Sequence, residues 1–184
     1  MLNILNMINP IERNSYTMQY ILNTFKAFVE VIIPWSPQLA AEYGELQYYG
    51  AIDLLAYEYI IQSLNEYGGS SLVVSTAKTL DAIARQIIVN EDNKNITNVS
   101  KGTIFADLAP SDRLLAINLM KQYETNSSDN QVAITDSLIR LTMMGYYSEW
   151  FGYGTTRLKG PNQRIFEFKP LSWEQVEYPG SQSR

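Results

Sequence analysis

The sequence predicts an all-α fold, a single helical domain of about five or six helices with an irregular, aromatic-rich C-terminal tail. Three observations lead to this prediction. Apolar residues recur at intervals of three and four through most of the first 148 residues, which is the period of an amphipathic helix. Prolines and glycines stand near the ends of these stretches, where helices are expected to begin or stop. Beyond residue 148 the period disappears, although large aromatic residues stay frequent.

The chain length and composition favour one domain. A chain of 184 residues with 46% hydrophobic content is long enough to bury one sizeable core. We therefore expect a single domain over 1–184, with an N-terminal arm at 1–13, a helical core at 14–148 and an irregular tail at 149–184 packed on the core. The tail is not disordered by composition, because disordered segments are poor in aromatic residues. Within it, the alternation in "RIFEFKP" predicts a short extended strand at 164–169.

The first half of the chain contains three predicted helices. Residues 15–33 carry an apolar stripe, and Pro34 ends this helix because proline cannot donate a hydrogen bond to the preceding turn. The connection that follows includes a possible helical turn at 39–43. The stretch 50–64, "GAIDLLAYEYIIQSL", is apolar nearly all round, as expected for a central helix surrounded by others. A third helix follows Gly68-Gly69 and runs to about residue 89.

The second half contains two more predicted helices, separated by polar loops. Residues 90–102 are polar and Asn-rich, which is typical of a surface loop. Pro110 stands at the first position of the next helix, where the missing N–H of proline costs nothing. A polar loop at 123–130 then leads to a last helix at 131–147.

Net charge and residue inventory exclude several functions. The formal net charge is −5, whereas nucleic-acid binding needs a basic face, so nucleic acid is not an expected partner. The apolar runs are too short for direct membrane insertion. The chain has no histidine and no cysteine, which removes imidazole bases, thiolate nucleophiles and the usual zinc sites. We expect no catalytic, metal-binding or cofactor-binding residue in this chain.

Carboxylates are the remaining candidates for chemistry. Glu42 with Glu45, Asp53 with Glu58, and the single Asp81 would do general acid/base work only if burial separated their pKa values. Solvated helix faces and caps are the commoner fate of such residues. For Asp53 and Glu58, on an otherwise apolar stretch, we expect an exposed strip or hydrogen bonds to tyrosine hydroxyls in preference to a metal or ligand role.

The stretch "MMGYYSEWFGYGTTRLKG" and the tail behind it concentrate aromatic residues. Large aromatic side chains serve as core, as stacking platforms for sugars, or as protein interfaces, and we expect core and interface here. The residues predicted as tail anchors or partner interface are Tyr146, Tyr147, Trp150, Tyr153, Trp173 and Tyr178.

Two further features of the tail receive a more ordinary interpretation. The glycines at 145, 152 and 154 do not form a dinucleotide-binding fingerprint, because they follow a helix and no helical pattern opens after them. A local basic patch consists of Arg157, Lys159, Arg164 and Lys169. Such a patch can bind an anion or an acidic partner, although solvated charges are the commoner case.

Several short motifs occur in a fixed order along the chain. "FVEVIIP" ends the first helix, "GAIDLLAYEYIIQSL" follows it, and "LAPSDRLLAINL" contains a Pro-Ser-Asp-Arg helix start. The closing signature consists of Gly145-Tyr146-Tyr147-Ser148, Tyr153-Gly154, Trp173 and Tyr178-Pro179-Gly180. In this order of features the chain resembles the gluconate 2-dehydrogenase subunit 3 family. It departs from the family in carrying Gly154-Thr155-Thr156 where Gly-Gly-Asn is common, and in showing no twin-arginine export signal.

The resemblance implies a small accessory subunit without chemistry of its own. It would associate with a large flavoprotein dehydrogenase of the glucose-methanol-choline type, which would carry the FAD, and would support its maturation or stability. The tail would then present part of the surface that the partner covers. Because no signal peptide or twin-arginine motif is recognised, we expect a cytoplasmic location, with a periplasmic or membrane-associated place through a partner as the alternative.

Two other functions stay open on the sequence. The first is a stand-alone binding module with an aromatic-lined pocket for a sugar or a sugar acid. The second is a carboxylate-dependent hydrolase, for which Glu42 and Glu45 are the only support. Neither the substrate of a partner enzyme nor the oligomeric state follows from the sequence.

Overall fold

The computed structural model describes residues 15–90, 103–126, 134–175 and 177. Seven α-helices lie in these ranges, namely α1 Ser15–Ile32, α2 Ala40–Tyr43, α3 Ala56–Asn90, α4 Ile104–Asp107, α5 Pro110–Asn126, α6 Ile134–Tyr147 and α7 Leu171–Gln175. Short 3-10 helices lie at Pro37–Leu39, Glu45–Tyr48, Phe151–Thr156 and Pro161–Gln163. The same ranges contain no β-strand, and the predicted all-α fold is confirmed.

Helix α3 is the centre of the arrangement, since it packs against α1, α5 and α6. The predicted break in it is present at Gly69, which has a φ of 71° and a ψ of −177°, because glycine adopts a positive φ without a Cβ clash. Around α3 the side chains of Phe25 and Phe28 from α1, Met120 from α5 and Leu138 from α6 are almost completely buried. Burial of this apolar surface is the main force that holds the helices together.

The central helix predicted for 50–64 begins later than expected, at Ala56. Residues 51–55 form tight turns, and Leu55 has a φ of 58°, in the left-handed region that a leucine seldom adopts. Leu54 is only 2% exposed within these turns. The apolar run is therefore explained by burial, which a buried turn and a buried helix share.

Other helix boundaries agree closely with the prediction. Helix α1 ends at Ile32, two residues before Pro34, and α5 begins at Pro110. The helical turn predicted for 39–43 is α2 together with the end of the preceding 3-10 helix. In the described part of the chain, no helix has the length and apolar character that crossing a membrane requires.

Several predicted segments lie outside the described residues. They are the arm at 1–13, nearly all of the loop at 90–102, the second half of the loop at 123–130, the start of the last helix at 131–133 and the end of the tail at 178–184. From Ile134 onward the last helix, α6, follows the prediction to its end at Tyr147. The first half of the loop predicted for 123–130 is wrong, because α5 continues as a helix to Asn126.

The strand predicted for 164–169 is absent from the described tail, so that prediction is wrong. Arg164 has an extended backbone, with a φ of −79° and a ψ of 135°, but none of the residues in this segment belongs to a strand. Instead, the N–H groups of Glu167 and Phe168 both donate to the carbonyl oxygen of Gly152, at 2.8 Å and 3.0 Å. The tail thus turns back on itself, and its alternating aromatic residues pack against other rings of the tail.

Candidate functional site

The candidate site lies where the end of α6 and the tail meet the start of α3. Helix α6 approaches α3 at Gly145, where a Cβ would stand 2.9 Å from the Cβ of Tyr59 and 3.1 Å from the Cα of Ala56. Contacts this short leave no room for a side chain, so the approach of the two helices requires glycine. The beginning of the tail is consequently held against α3 and the turns that precede it.

Tyr146 ties the end of α6 to the connection between α1 and α3. It is 3% exposed, and its hydroxyl lies 3.1 Å from the carbonyl oxygen of Leu46 and 2.8 Å from that of Tyr49, as donor to these acceptors. Burial raises the pKa of Tyr146 to about 12, and the charges of Tyr147 and Asp53 act in the same direction. The neutral, hydrogen-donating hydroxyl is therefore the form that this position favours.

Trp150 is the principal anchor of the tail. It is 2% exposed, its Nε1–H donates to the carbonyl oxygen of Leu55 at 3.1 Å, and its ring meets that of Tyr59 edge-to-face at 5.2 Å. The guanidinium of Arg164 lies over the Trp150 ring, 5.4 Å from its centroid. A side chain with so little exposure offers no surface to a partner, so anchoring is the role that its position allows.

An ion pair between Glu58 and Arg157 fastens the tail to α3. Arg157 Nε donates to Glu58 Oε2 at 2.6 Å, with side-chain exposures of 19% and 9%, and another guanidinium N–H donates to the carbonyl oxygen of Gly154. Burial first, then the Glu58 charge, raises the pKa of the neighbouring Tyr57 to about 12. We expected an exposed strip or tyrosine hydroxyls around Glu58; instead, Arg157 supplies the opposite charge that a nearly buried carboxylate requires.

A second carboxylate closes the turn of the tail. Glu167 accepts hydrogen bonds from the backbone N–H and the hydroxyl of Thr155, and these bonds hold the pKa of Glu167 below its ordinary value. Gly154 has a φ of 48°, and the Glu167 side chain occupies the space that a Cβ at Gly154 would need. Glycine at 154 is thus required both by its backbone conformation and by this neighbour.

The other predicted aromatic residues of the tail are partly exposed. Tyr147 is 44% exposed. Tyr153 lies beside Phe166, with ring centroids 4.7 Å apart, and burial first, then a hydrogen bond to a carboxylate, raises its pKa to about 12. Trp173 meets Phe166 edge-to-face at 5.6 Å. Tyr178 lies outside the described residues.

The other carboxylates proposed for chemistry form no ion pair with any described residue of this cluster. Glu42 and Glu45 are exposed on the short helical segments that follow α1, and Asp53 is exposed too. Asp81 is 9% exposed and accepts the backbone N–H of Phe105 in α4 at 2.9 Å, so it serves a structural hydrogen bond. No group of three or more acidic residues that could hold a metal ion occurs in the described ranges.

The predicted basic patch is largely occupied in holding the tail. Arg157 is paired as described, and Arg164 lies over two rings, 5.4 Å from the centroid of Trp150 and 5.9 Å from that of Tyr153. Arg164 also donates to the carbonyl oxygen of Lys159 at 3.1 Å. These guanidinium groups are therefore committed to contacts within the chain.

A cleft that the sequence interpretation did not locate lies beside the anchored tail, with a volume of about 490 Å³. It is lined by four aromatic residues, two carboxylates and small or aliphatic residues, namely Trp35, Tyr48, Tyr49, Phe151, Glu30, Asp53, Ile33, Gly50, Ala51 and Ile52. The available signal was the connection "PWSPQLAAEYGELQYYG", which carries four aromatic residues in a short segment. We call this concavity the cleft.

Exposed rings continue from the cleft onto the tail. Trp35 is 64% exposed, Tyr48 54% and Phe168 54%. Phe151 joins the two regions, because it lines the cleft and its ring stacks on that of Phe168 with centroids 6.0 Å apart. We refer to Trp35, Tyr48, Tyr49, Phe151 and Phe168 as the aromatic surface.

The arrangement as a whole is suited to binding. Its buried ionisable groups are engaged in contacts within the chain, while its exposed groups are rings and carboxylates around a cleft. Comparisons with protein-family models, with curated proteins and with solved structures find no match to this chain.

Proposed function

We propose that this protein is a non-catalytic accessory subunit that supports the maturation or stability of a glucose-methanol-choline-type flavoprotein dehydrogenase, with FAD in the partner. The observation that carries the proposal is the aromatic surface. Tyrosine and tryptophan are enriched at protein interfaces because they combine a large contact area with a polar tip. Continuous exposed aromatic area of this kind is more typical of an interaction site than of an ordinary solvated face.

The backbone that carries Trp35, Tyr48 and Tyr49 is held in place by hydrogen bonds and a close backbone contact, which favours binding. Ser36 N–H donates to the carbonyl oxygen of Gln47 at 3.2 Å, and Ala51 N–H donates to that of Ile33 at 3.0 Å. A Cβ on Gly50 would stand 2.9 Å from the backbone nitrogen of Trp35, so these two backbone segments touch. Residues held in this way lose little freedom when a partner binds, which lowers the entropic cost of association.

The buried residues of the tail hold Phe151 and Phe168 in place in the same way. Trp150 and Arg157 fix the segment that carries Phe151. The backbone N–H groups of Glu167 and Phe168 donate to the carbonyl oxygen of Gly152, which holds Phe168 beside that segment. The role that this gives the buried tail residues is to position exposed rings. Partner contact belongs to the rings of the aromatic surface.

The use of ionisable groups favours an accessory role over a hydrolase. The nearly buried Glu58 is paired with Arg157, and Asp81 is engaged with a backbone N–H. Glu42 and Glu45 lie exposed on short helical segments, away from the buried surroundings that acid/base catalysis by a carboxylate needs. The chain also lacks histidine and cysteine, which supply most general bases and nucleophiles.

The identity of the partner comes from the resemblance to the gluconate 2-dehydrogenase subunit 3 family. The test is to capture the tagged protein gently from its own host and to record the visible flavin absorbance of the eluate, with mass spectrometry of the associated chains. We expect a stoichiometric flavoprotein dehydrogenase. A colourless eluate that contains only the tagged chain would contradict the proposal.

A second candidate function is favoured by the cleft itself. Its volume of about 490 Å³ falls in the range of small-molecule sites, roughly 300–1,000 Å³, and it combines aromatic walls with two carboxylates. In this alternative the protein binds a small polar ligand without any partner. A ligand that binds only the native state would then raise the melting temperature of the isolated chain, and an unchanged melting temperature at saturating ligand would argue against that ligand.

A further inference from the structure

We propose that the cleft binds an organic cation, through a guanidinium or alkylammonium group. The inference rests on the cleft being a binding site, the second function above, and it names the chemical class of the ligand. Three features of the cleft carry it: the rings that line it, the carboxylates at its edge, and the absence of lysine and arginine from its described lining.

The rings supply the first attraction. Trp35 is 64% exposed, Tyr48 54% and Tyr49 39%, so much of each ring is open to a ligand. The face of an aromatic ring carries negative charge density and attracts a cation within about 6 Å of its centroid. Guanidinium groups also stack on such rings, because they are planar and weakly hydrated.

The carboxylates supply the second attraction, and Asp53 is the more important of the two. The Glu30 charge is offset by Arg113, whose Nη1 lies 2.6 Å from Glu30 Oε2. Asp53 is exposed and forms no ion pair with any described residue. Its Oδ2 accepts the backbone N–H of Gly50 at 2.8 Å, so the carboxylate is held in one orientation at the cleft.

Charge also decides between the ligand classes. A sugar acid would bring a third carboxylate to a cleft that already holds two, and like charges repel. A neutral sugar can donate hydroxyl hydrogen bonds to the carboxylates, but it has no positive charge to pair with them. The net charge of −5 for the whole chain adds a weak long-range preference for cations.

The test compares ethylguanidinium with ethylurea, its neutral counterpart of similar shape, and with glucose and gluconate. The reporter is the indole N–H resonance of Trp35, assigned by its loss in Trp35→Phe. We expect a saturable shift with ethylguanidinium that weakens as salt is added, and binding of ethylurea about tenfold weaker. N-acetylarginine amide then distinguishes two sources of the cation. If it binds more tightly than ethylguanidinium, the natural ligand is an arginine side chain of a protein. If it binds equally or more weakly, the natural ligand is a free small molecule.

Variants locate the binding, with affinities measured by ligand-observed NMR. Trp35→Ala and Asp53→Asn are each expected to weaken ethylguanidinium binding about two- to fivefold, the range for one exposed cation–π contact or one exposed ion pair. Asn keeps an oxygen that can accept the Gly50 N–H, so the Asp53→Asn comparison isolates the charge. Glu66→Gln, which removes a charge outside the cleft lining, is the matched control and should bind normally.

The outcomes separate the ligand class from the function. Equal binding of ethylurea and ethylguanidinium, or unchanged affinity in Asp53→Asn, would overturn the cation. Saturable binding of glucose without a response to ethylguanidinium would overturn the cation but leave the cleft as a small-ligand site. If no probe gave a saturable shift of the Trp35 resonance, both the ligand class and the small-ligand function would fail, while the accessory-subunit proposal would stand on its own test.

Discussion

Removing the Trp150 side chain should destabilise the whole helical arrangement. Trp150 is 2% exposed, and truncation of a buried tryptophan to alanine costs about 3–5 kcal/mol in free energy of unfolding. About 1 kcal/mol of this belongs to the hydrogen bond from Nε1–H to Leu55, and about 0.5–1.5 kcal/mol to the edge-to-face contact with Tyr59. Trp150→Phe keeps most of the buried area but loses the hydrogen bond, so we expect about 1–2 kcal/mol for it.

Urea unfolding followed by circular dichroism measures these differences. Trp35→Ala is the matched control, because the side chain removed is the same but 64% exposed, and we expect a change within about 0.5 kcal/mol. The anchoring role would be refuted if Trp150→Ala lost less than about 1 kcal/mol, below the lower limit for a buried tryptophan. It would also be refuted if the two alanine variants were equally stable.

Three further predictions concern the contacts around the tail. Glu58→Gln should lower the free energy of unfolding by about 2–4 kcal/mol, because it leaves Arg157 without a counter-charge. Urea unfolding measures the loss, with the exposed Glu66→Gln as the control. A loss no larger than that of Glu66→Gln would contradict a stabilising role for the ion pair. Gly145→Ala should lower the midpoint temperature of unfolding, although alanine gains about 1 kcal/mol in helix propensity. The reason is that the new Cβ would stand 2.9 Å from the Cβ of Tyr59. A higher midpoint would show that α6 and α3 can move apart without cost. The three tyrosines whose pKa burial raises to about 12 favour the protonated form in the native state. Their contribution to the free energy of unfolding should thus be complete below pH 10 and lost as the pH rises through 12. The measurement is a spectroscopic titration of tyrosinate. A single step near pH 10 for all tyrosines would contradict the raised pKa values.

Helices with a polar face were predictable from the sequence, whereas the start of the central helix was not. In α1 and α5 the prolines mark an end and a beginning, and the observed boundaries at Ile32 and Pro110 lie within a residue of the predicted ones. Residues 50–55 carry the same apolar pattern as the helix behind them, because the apolar side chains of both are buried or partly buried. The left-handed backbone of Leu55 has no signature in residue type, since leucine seldom adopts it.

The candidate site was predictable only in its composition. Aromatic concentration in the tail indicated anchors, and Tyr146 and Trp150 are buried. Their partners are distant in the sequence: Tyr146 lies 100 residues from Leu46, and Arg157 lies 99 residues from Glu58. Local periodicity carries no information about such pairs, which also explains why the cleft, formed where these segments meet, was not located.

Whether the aromatic surface holds the partner can be measured directly by co-capture of flavin. Tagged wild-type protein, Trp35→Ala and Tyr67→Ala would be expressed in the same host and captured under identical conditions, with bound flavin measured per mole of tagged chain. Tyr67 is 80% exposed and lies outside the aromatic surface, so it is the matched control. We expect the flavin yield to fall about tenfold or more for Trp35→Ala, as for an interface hot spot worth about 2 kcal/mol, and to stay at the wild-type level for Tyr67→Ala. Equal flavin yields for the two variants would contradict a role of the aromatic surface in binding, and no flavin with any of the three proteins would contradict a flavoprotein partner.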